Sequence, residues 1–287
     1  MKRKIGYIAA DVEGRAAPEI ASLLQTNGYD AVDWTREQFN PLIDPSSKLV
    51  ELVGIANDHG LSVSQFMVHH DYVVTSTERW EQNVRSTELA IVACAEANIG
   101  TVGVLTGPNR WEAGHAEIGR DIGEGDAWTL ALTALERVLR RAESVGSVAV
   151  SLEPCWGTLA PDRAGGQYLL DTLESDYLGI NMDPSHYVMS GDDLGSMVRA
   201  WGNLIKHVHL KDAFGVTGDP DQDFIFLLPG EGKVSWPDFL GALDDIGYTG
   251  TMSVEFEAFT LLNGPLRGDL SAAMKLARDL VSGLVED

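Results

Sequence analysis

Short apolar runs rich in β-branched residues alternate along the chain with longer stretches whose apolar positions recur at helical spacing. The pair repeats eight times, at roughly 30 to 40 residues per unit. The runs at 5–9, 31–34, 62–68, 101–105, 148–152, 178–182, 205–210 and 252–256 read as strands. Helices are expected from about 16 to the Asn27-Gly28 stop, from Asp44-Pro45-Ser46 to 60, and over 77–97, 127–144, 167–173, 194–201, 237–246 and 270–284. Between 127 and 144, Leu130, Leu132, Leu135, Val138 and Leu139 form a stripe to be buried. Two connections are long: the Gly- and Pro-containing 107–125, and 212–234 with Asp219, Asp221, Asp223, Phe224 and Phe226. The second is too long for an ordinary link and is expected to serve as a lid or a subunit contact.

Eight unbroken β-α units predict one closed (β/α)8 TIM barrel forming a single catalytic domain over 1–287. A doubly wound open sheet is the rival, but no Gly-x-Gly-x-x-Gly turn follows the first strand. In a barrel, chemistry collects at the C-terminal strand ends. There this chain places Glu153, Asp183, His209 and Glu255, each closing a different apolar run. An ionised carboxylate taken out of water without a partner costs several kcal/mol, so such residues need a cation or another partner. Three carboxylates and an imidazole suit a divalent metal ion. The metal would leave positions for a substrate carbonyl and its neighbouring hydroxyl, acidifying the adjacent C–H. Glu153 and Glu255 could then take and return the proton through an enediolate, giving isomerisation or epimerisation. His186 would bind a substrate hydroxyl. Alternation puts Glu257 on the face of Glu255 and His207 on that of His209; the first of these is expected behind the ligands, the second in the core.

Charge narrows the partners. Twenty-one basic against 43 acidic residues give a formal charge of −22, which repels phosphate backbones and anionic membranes. Nothing is long enough to span a bilayer. The positive Met-Lys-Arg-Lys start leads into an apolar run that ends at Asp11, too short for a signal segment. Two cysteines, Cys94 and Cys155, make no disulfide framework, so a reducing cytoplasm is expected. Cys155 is expected to line the site rather than to attack.

The second half carries, in order, SLEP, MDPSH, HVHLKD and PGEGKVSWPDFLGALDDIGYTGTMSVEFE. In these motifs the chain resembles the sugar phosphate isomerase/epimerase family, the xylose isomerase-like barrels. The resemblance implies one divalent ion, Mn²⁺ or Mg²⁺ with Co²⁺ or Zn²⁺ as alternatives, on Glu153, Asp183, His209 and Glu255. Other expected substrate contacts are His70, one of the pair His69-His70, together with Trp111, Lys211 and Lys233; Trp34 and Trp156 are candidate apolar walls. No arginine cluster marks the late loops, so an unphosphorylated sugar, bound by a homo-oligomer, is the expected partner. Ketose 3-epimerases of the family carry an arginine and an extra glutamate where this chain has Gly215 and Leu159. Its acidic, aromatic loop and SVEFEAF segment are also similar to the α subunit of C-glycoside deglycosidases. That likeness implies, as the alternative, a lyase acting on 3-keto-glycosides with a small partner subunit. The related endonuclease of abasic DNA needs three metal ions and more histidines than the seven here.

Overall fold

A computed structural model describes residues 3–10, 12, 14–217 and 223–286. Eight parallel strands close a barrel: β1 (Lys4–Ile8), β2 (Ala31–Thr35), β3 (Ser62–Met67), β4 (Thr101–Val104), β5 (Ala149–Leu152), β6 (Leu178–Met182), β7 (Ile205–Leu210) and β10 (Thr251–Val254). The order around it is β1-β10-β7-β6-β5-β4-β3-β2. The expected (β/α)8 barrel is the fold observed.

Alternation along the strands explains the layers. Ile5, Val32, Phe66, Val102, Val150, Ile180, Val208 and Val254 belong to the main hydrophobic core that the helices cover. Each such burial stabilises by about 1.5–3 kcal/mol. Their strand neighbours Asp33, Gln65, Ser151, Asn181, His207, His209 and Ser253 are equally buried but polar, so the inside of the barrel is a polar core. Two register shifts, between Val32 and Asp33 and between Ile180 and Asn181, fall just before two of these residues. Bulges of this kind re-aim the side chain that follows.

The covering helices are α1 (Ala17–Thr26), α2 (Ser47–Asp58), α3 (Thr77–Glu96), α4 (Glu124–Val145), α5 (Arg163–Leu173), α7 (Leu194–Trp201), α8 (Trp236–Asp245) and α10 (Leu270–Glu286). Both α4 and α5 begin a few residues before the expected starts. Asp162 explains the second case: its side chain accepts from Gly165 N and caps α5. At α2 the expected cap is absent, since Ser46 makes no capping bond and its hydroxyl turns to Glu96 instead.

Three elements were not expected. Helix α6 (Pro184–Ser190) follows β6 at once, with Asp183 as its N-cap and proline in its first turn. Residues 212–227 fold back as an antiparallel hairpin, β8 (Asp212–Val216) and β9 (Asp223–Leu227). Helix α9 (Phe259–Asn263) follows β10. Asp219 and Asp221 lie outside the described residues.

Strand β6 has no room at Gly179. A Cβ there would meet the Leu204 carbonyl and the Lys206 side chain, and backbone cannot yield as a side chain does. Gly179→Ala should cost about 1–3 kcal/mol, seen as a lower urea midpoint. A midpoint equal to wild type would show that β6 can shift.

Candidate metal centre at the barrel mouth

The barrel brings Glu153, Asp183, His209 and Glu255 together, with one ligand atom from each lying within 4.8 Å of all the others. They come from the ends of β5, β6, β7 and β10. Local bonds fix their aim. Ser185 N donates to Asp183 Oδ1 at 2.8 Å, which leaves Oδ2 to face the cluster. Asn181 Nδ2 donates to Glu153 Oε2 at 3.1 Å and sits against the His209 ring. His209 Nδ1 is 3.3 Å from Glu153 and 3.4 Å from Glu255.

Lys211, expected near the mouth, is instead buried inside this cluster. Its Nζ lies 2.7 Å from Glu255, 2.7 Å from Glu257, 3.0 Å from Asp183 and 3.5 Å from His186 Nε2. Three carboxylates thus share one ammonium, with Glu153 as a fourth in the cluster. A divalent cation held by Glu153, Asp183, His209 and Glu255 would bring the cluster close to charge balance, and oxygen with imidazole is a donor set that such ions accept. The residues present therefore fit the metal.

Burial by itself would raise the Glu153 carboxyl, but the facing His209 charge and hydrogen bonds from His186 and His209 outweigh it and hold it well below the usual range. Glu255 is also held down, in its case mainly by Lys211 against the effect of burial. Burial dominates at Glu257 and raises it. His209 would be lowered by burial, yet Glu153 and Glu255 lift it well above its ordinary value. Both expected bases are therefore ionised at neutral pH.

Around the four stand further groups. His186, on α6, lies 3.4 Å from Asp183 and 3.6 Å from Glu153 through Nε2. At the end of β3 the expectation for His70 is corrected. It is His69 whose Nε2 approaches Glu153, at 3.4 Å; the charges felt by His70 are those of Arg36, His69 and Arg79. His69 has a left-handed backbone, φ 41°, uncommon for a residue with a side chain. Burial pushes its imidazole down to about 4, so the ring is neutral. Counting by twos from the inward Gln65 reaches 67 and 69, a signal that the sequence did contain.

The hairpin builds an aromatic wall. Phe226 packs edge-on to His186 at 5.5 Å and lies under Lys211 Nζ at 4.4 Å. Phe224 follows at 5.3 Å, then Trp156 at 4.9 Å and Trp111 at 5.9 Å. Trp34, the other candidate wall, is fully buried in the core. Lys233 is also corrected. It is exposed and its Nζ lies over Phe214 at 5.0 Å. Ala213 pairs with Phe226 and Phe214 with Ile225, so Phe214 and Lys233 belong to the opposite face of the hairpin from the site. Gly215 has φ 109°, and a Cβ there would strike the Asp223 carbonyl, so this position of the hairpin has no room for a side chain. Cys155 is buried, and burial pushes its thiol well up.

The chain is 27% identical over 143 residues to an inosose dehydratase of Lacticaseibacillus casei, covering 46% of this chain and 48% of the relative. It is 26% identical over 159 residues to a D-psicose 3-epimerase of Ruminiclostridium cellulolyticum, covering 51% and 48%. The chain thus spans about half the length of the curated relatives it matches. A solved structure of the IolI protein with a bound zinc atom superposes over 98% of both chains, with a TM-score of 0.73 at 17% identity; that likeness shows a common fold. The profile of one family runs over residues 21–280, from α1 to the last helix, and by that span the chain belongs to the xylose isomerase-like TIM barrels.

Proposed function

We propose that this protein is a metal-dependent enzyme that removes a proton next to the carbonyl of an unphosphorylated sugar or keto-sugar, as an isomerase or epimerase. The observation that carries this reading is the pair Glu153 and Glu255. They are ionised, they come from strands separated in the barrel by β6 and β7, and both face His209. A substrate between them meets a base on either side. When bound, a divalent ion supplies the polarisation that makes the C–H acidic. Three oxygen donors and one imidazole favour Mn²⁺ or Mg²⁺.

The protein's own groups do the rest. One glutamate accepts the proton; its delivery to the neighbouring, former carbonyl carbon of the enediolate isomerises, and return to the same carbon from the opposite face by the other glutamate inverts the centre. Lys211 and His186 are placed to donate to substrate oxygens, and Lys211 also steadies Glu255 through the shared contact with Glu257. Phe224, Phe226 and Trp156 shield the site from water, which strengthens every charge interaction inside it. A neutral His69 beside Glu153 offers one more hydrogen bond.

Elimination is the second reading. The match to an inosose dehydratase favours it, because loss of a leaving group can follow the same proton removal. A lyase acting on 3-keto-glycosides with a small partner subunit is its specific form. The outer hairpin face, with Phe214, Val216 and Ile225 exposed, would serve as a subunit contact in that case or in a homo-oligomer. No helix among the described residues is long and apolar enough to cross a membrane. The buried free thiols suit a reducing cytoplasm.

Proton NMR of the Mg²⁺-loaded protein in D₂O with ketoses, aldoses and 3-keto-glycosides tests the proposal. Loss of one C–H signal is expected, and it should stop with EDTA and resume when Mg²⁺ is restored. The position exchanged separates isomerase, epimerase and eliminating enzyme. Exchange that survives EDTA would overturn the metal's role, and absence of exchange on every substrate would overturn the reading.

A further inference from the structure

Beside the metal centre lies a cleft of about 270 Å³ whose lining includes Thr35, Arg36, His69, Asn109, Trp111 and Glu112. Two of its walls lead directly into the site. His69 reaches Glu153, and Trp111 stacks on Trp156, whose backbone N–H approaches His186 Nδ1 at 3.4 Å. The cleft is therefore next to the reacting position.

Its polar chemistry is incomplete in one specific place. Asn109 is 1% exposed. Its Nδ2 donates to His69 O at 3.3 Å and to Glu112 Oε1 at 2.9 Å, which fixes the amide orientation. Its Oδ1 has no hydrogen-bond partner among the described residues. A buried carbonyl oxygen without a partner costs about 1–3 kcal/mol; this one is closed off from solvent, so the polar groups that the cleft presents to a ligand are those of Arg36 and Glu112. Arg36 donates to the His69 carbonyl from the rim, and the left-handed turn at His69 lets that one carbonyl take both Arg36 and Asn109.

Ligand class follows from charge and shape. Glu37 and Glu112 outnumber Arg36 on the lining, which disfavours an anion. Trp111 is 46% exposed and offers an apolar face, while Arg36 and Glu112 offer hydrogen bonds. A hydroxyl-bearing ring has both a flat apolar face and O–H donors. The volume, just below the roughly 300 Å³ at which pockets for drug-sized ligands begin, suits one such ring. We infer that this cleft is a second subsite, which takes the neutral sugar ring next to the reacting one, so that the substrate is a two-ring glycoside. The inference rests on the reading of the site as one that acts on sugars.

Calorimetry of the Mg²⁺-loaded protein with D-glucose, cellobiose and maltose tests it. At least one disaccharide should bind about tenfold or more tightly than glucose, which corresponds to about 1.4 kcal/mol. Arg36→Ala and Trp111→Ala, both at exposed positions, should bring that affinity down to the level of glucose, and Arg36→Ala should leave Mg²⁺ binding unchanged. Equal affinities, no binding of either disaccharide, or variants that keep the advantage would overturn the subsite. Exchange of C–H in D₂O is read separately. A disaccharide advantage without exchange on any substrate would overturn the proposed reaction and leave the subsite standing.

Discussion

Glu153→Gln is expected to slow metal-dependent C–H exchange by about 10²- to 10⁴-fold, the range for losing a positioned acid or base. Glutamine keeps the shape and loses the proton acceptor. The Glu153 carboxylate is also the main charge that holds His209 up against burial and a member of the candidate ligand set, so metal affinity should fall as well. Exchange must therefore be compared at saturating Mg²⁺. The variant should fold, since removing one of the four crowded carboxylates of the cluster relieves their mutual repulsion, and circular dichroism checks this. Wild-type exchange at saturating metal would remove Glu153 from the chemistry and leave Glu255 to act alone.

Asp33→Asn should produce the largest loss of stability, about 3–5 kcal/mol, the usual result of breaking one side of a buried ion pair. Asp33 Oδ2 accepts from His207 Nε2 at 2.8 Å, Oδ1 accepts from the Ser64 hydroxyl, and both Asp33 and His207 are buried inside the barrel. The His207 ring then packs edge-on to His209 at 5.4 Å, so the pair also supports a candidate ligand from below. The pH dependence has a definite sign. Burial would raise the Asp33 carboxyl, but His207 and the hydrogen bonds outweigh it and hold it below its ordinary 3.8. The stability it contributes is complete above that value and is lost as pH falls through the lower folded-state pKa. Urea midpoints for wild type and variant should therefore lie far apart at pH 7 and converge only as pH falls below 3.8 through that lower value. Equal midpoints at pH 7 would mean that the barrel core can do without the pair.

Sequence reading succeeded where one strand contains the whole signal. The residues of β6 carry no charge until Asp183, and those of β10 none until Glu255, and a charge that closes a buried run marks a strand end without reference to any other strand. It failed where two neighbours competed or where two segments had to meet. His69 and His70 are the same residue type in adjacent positions, and the left-handed φ that aims His69 is a backbone property. The hairpin of β8 and β9 is short, with its alternation broken by Gly215, so it reads as a loop. Lys211 follows His209 by two positions, but nothing local indicates that an ammonium will sit among carboxylates from β6 and β10.

The sequence by itself determined the eight-fold strand and helix pattern, the residue types at the strand ends and the excess of negative charge, because periodicity and burial act within single elements. Barrel closure decided the rest. Only closure brings β2 against the interior side of β7 so that Asp33 can hold His207, folds β9 over α6 so that Phe226 meets His186, and opens the cleft between His69 and Trp111. Those contacts join residues far apart in the chain, and the distance between two strands is set by the packing of all the others.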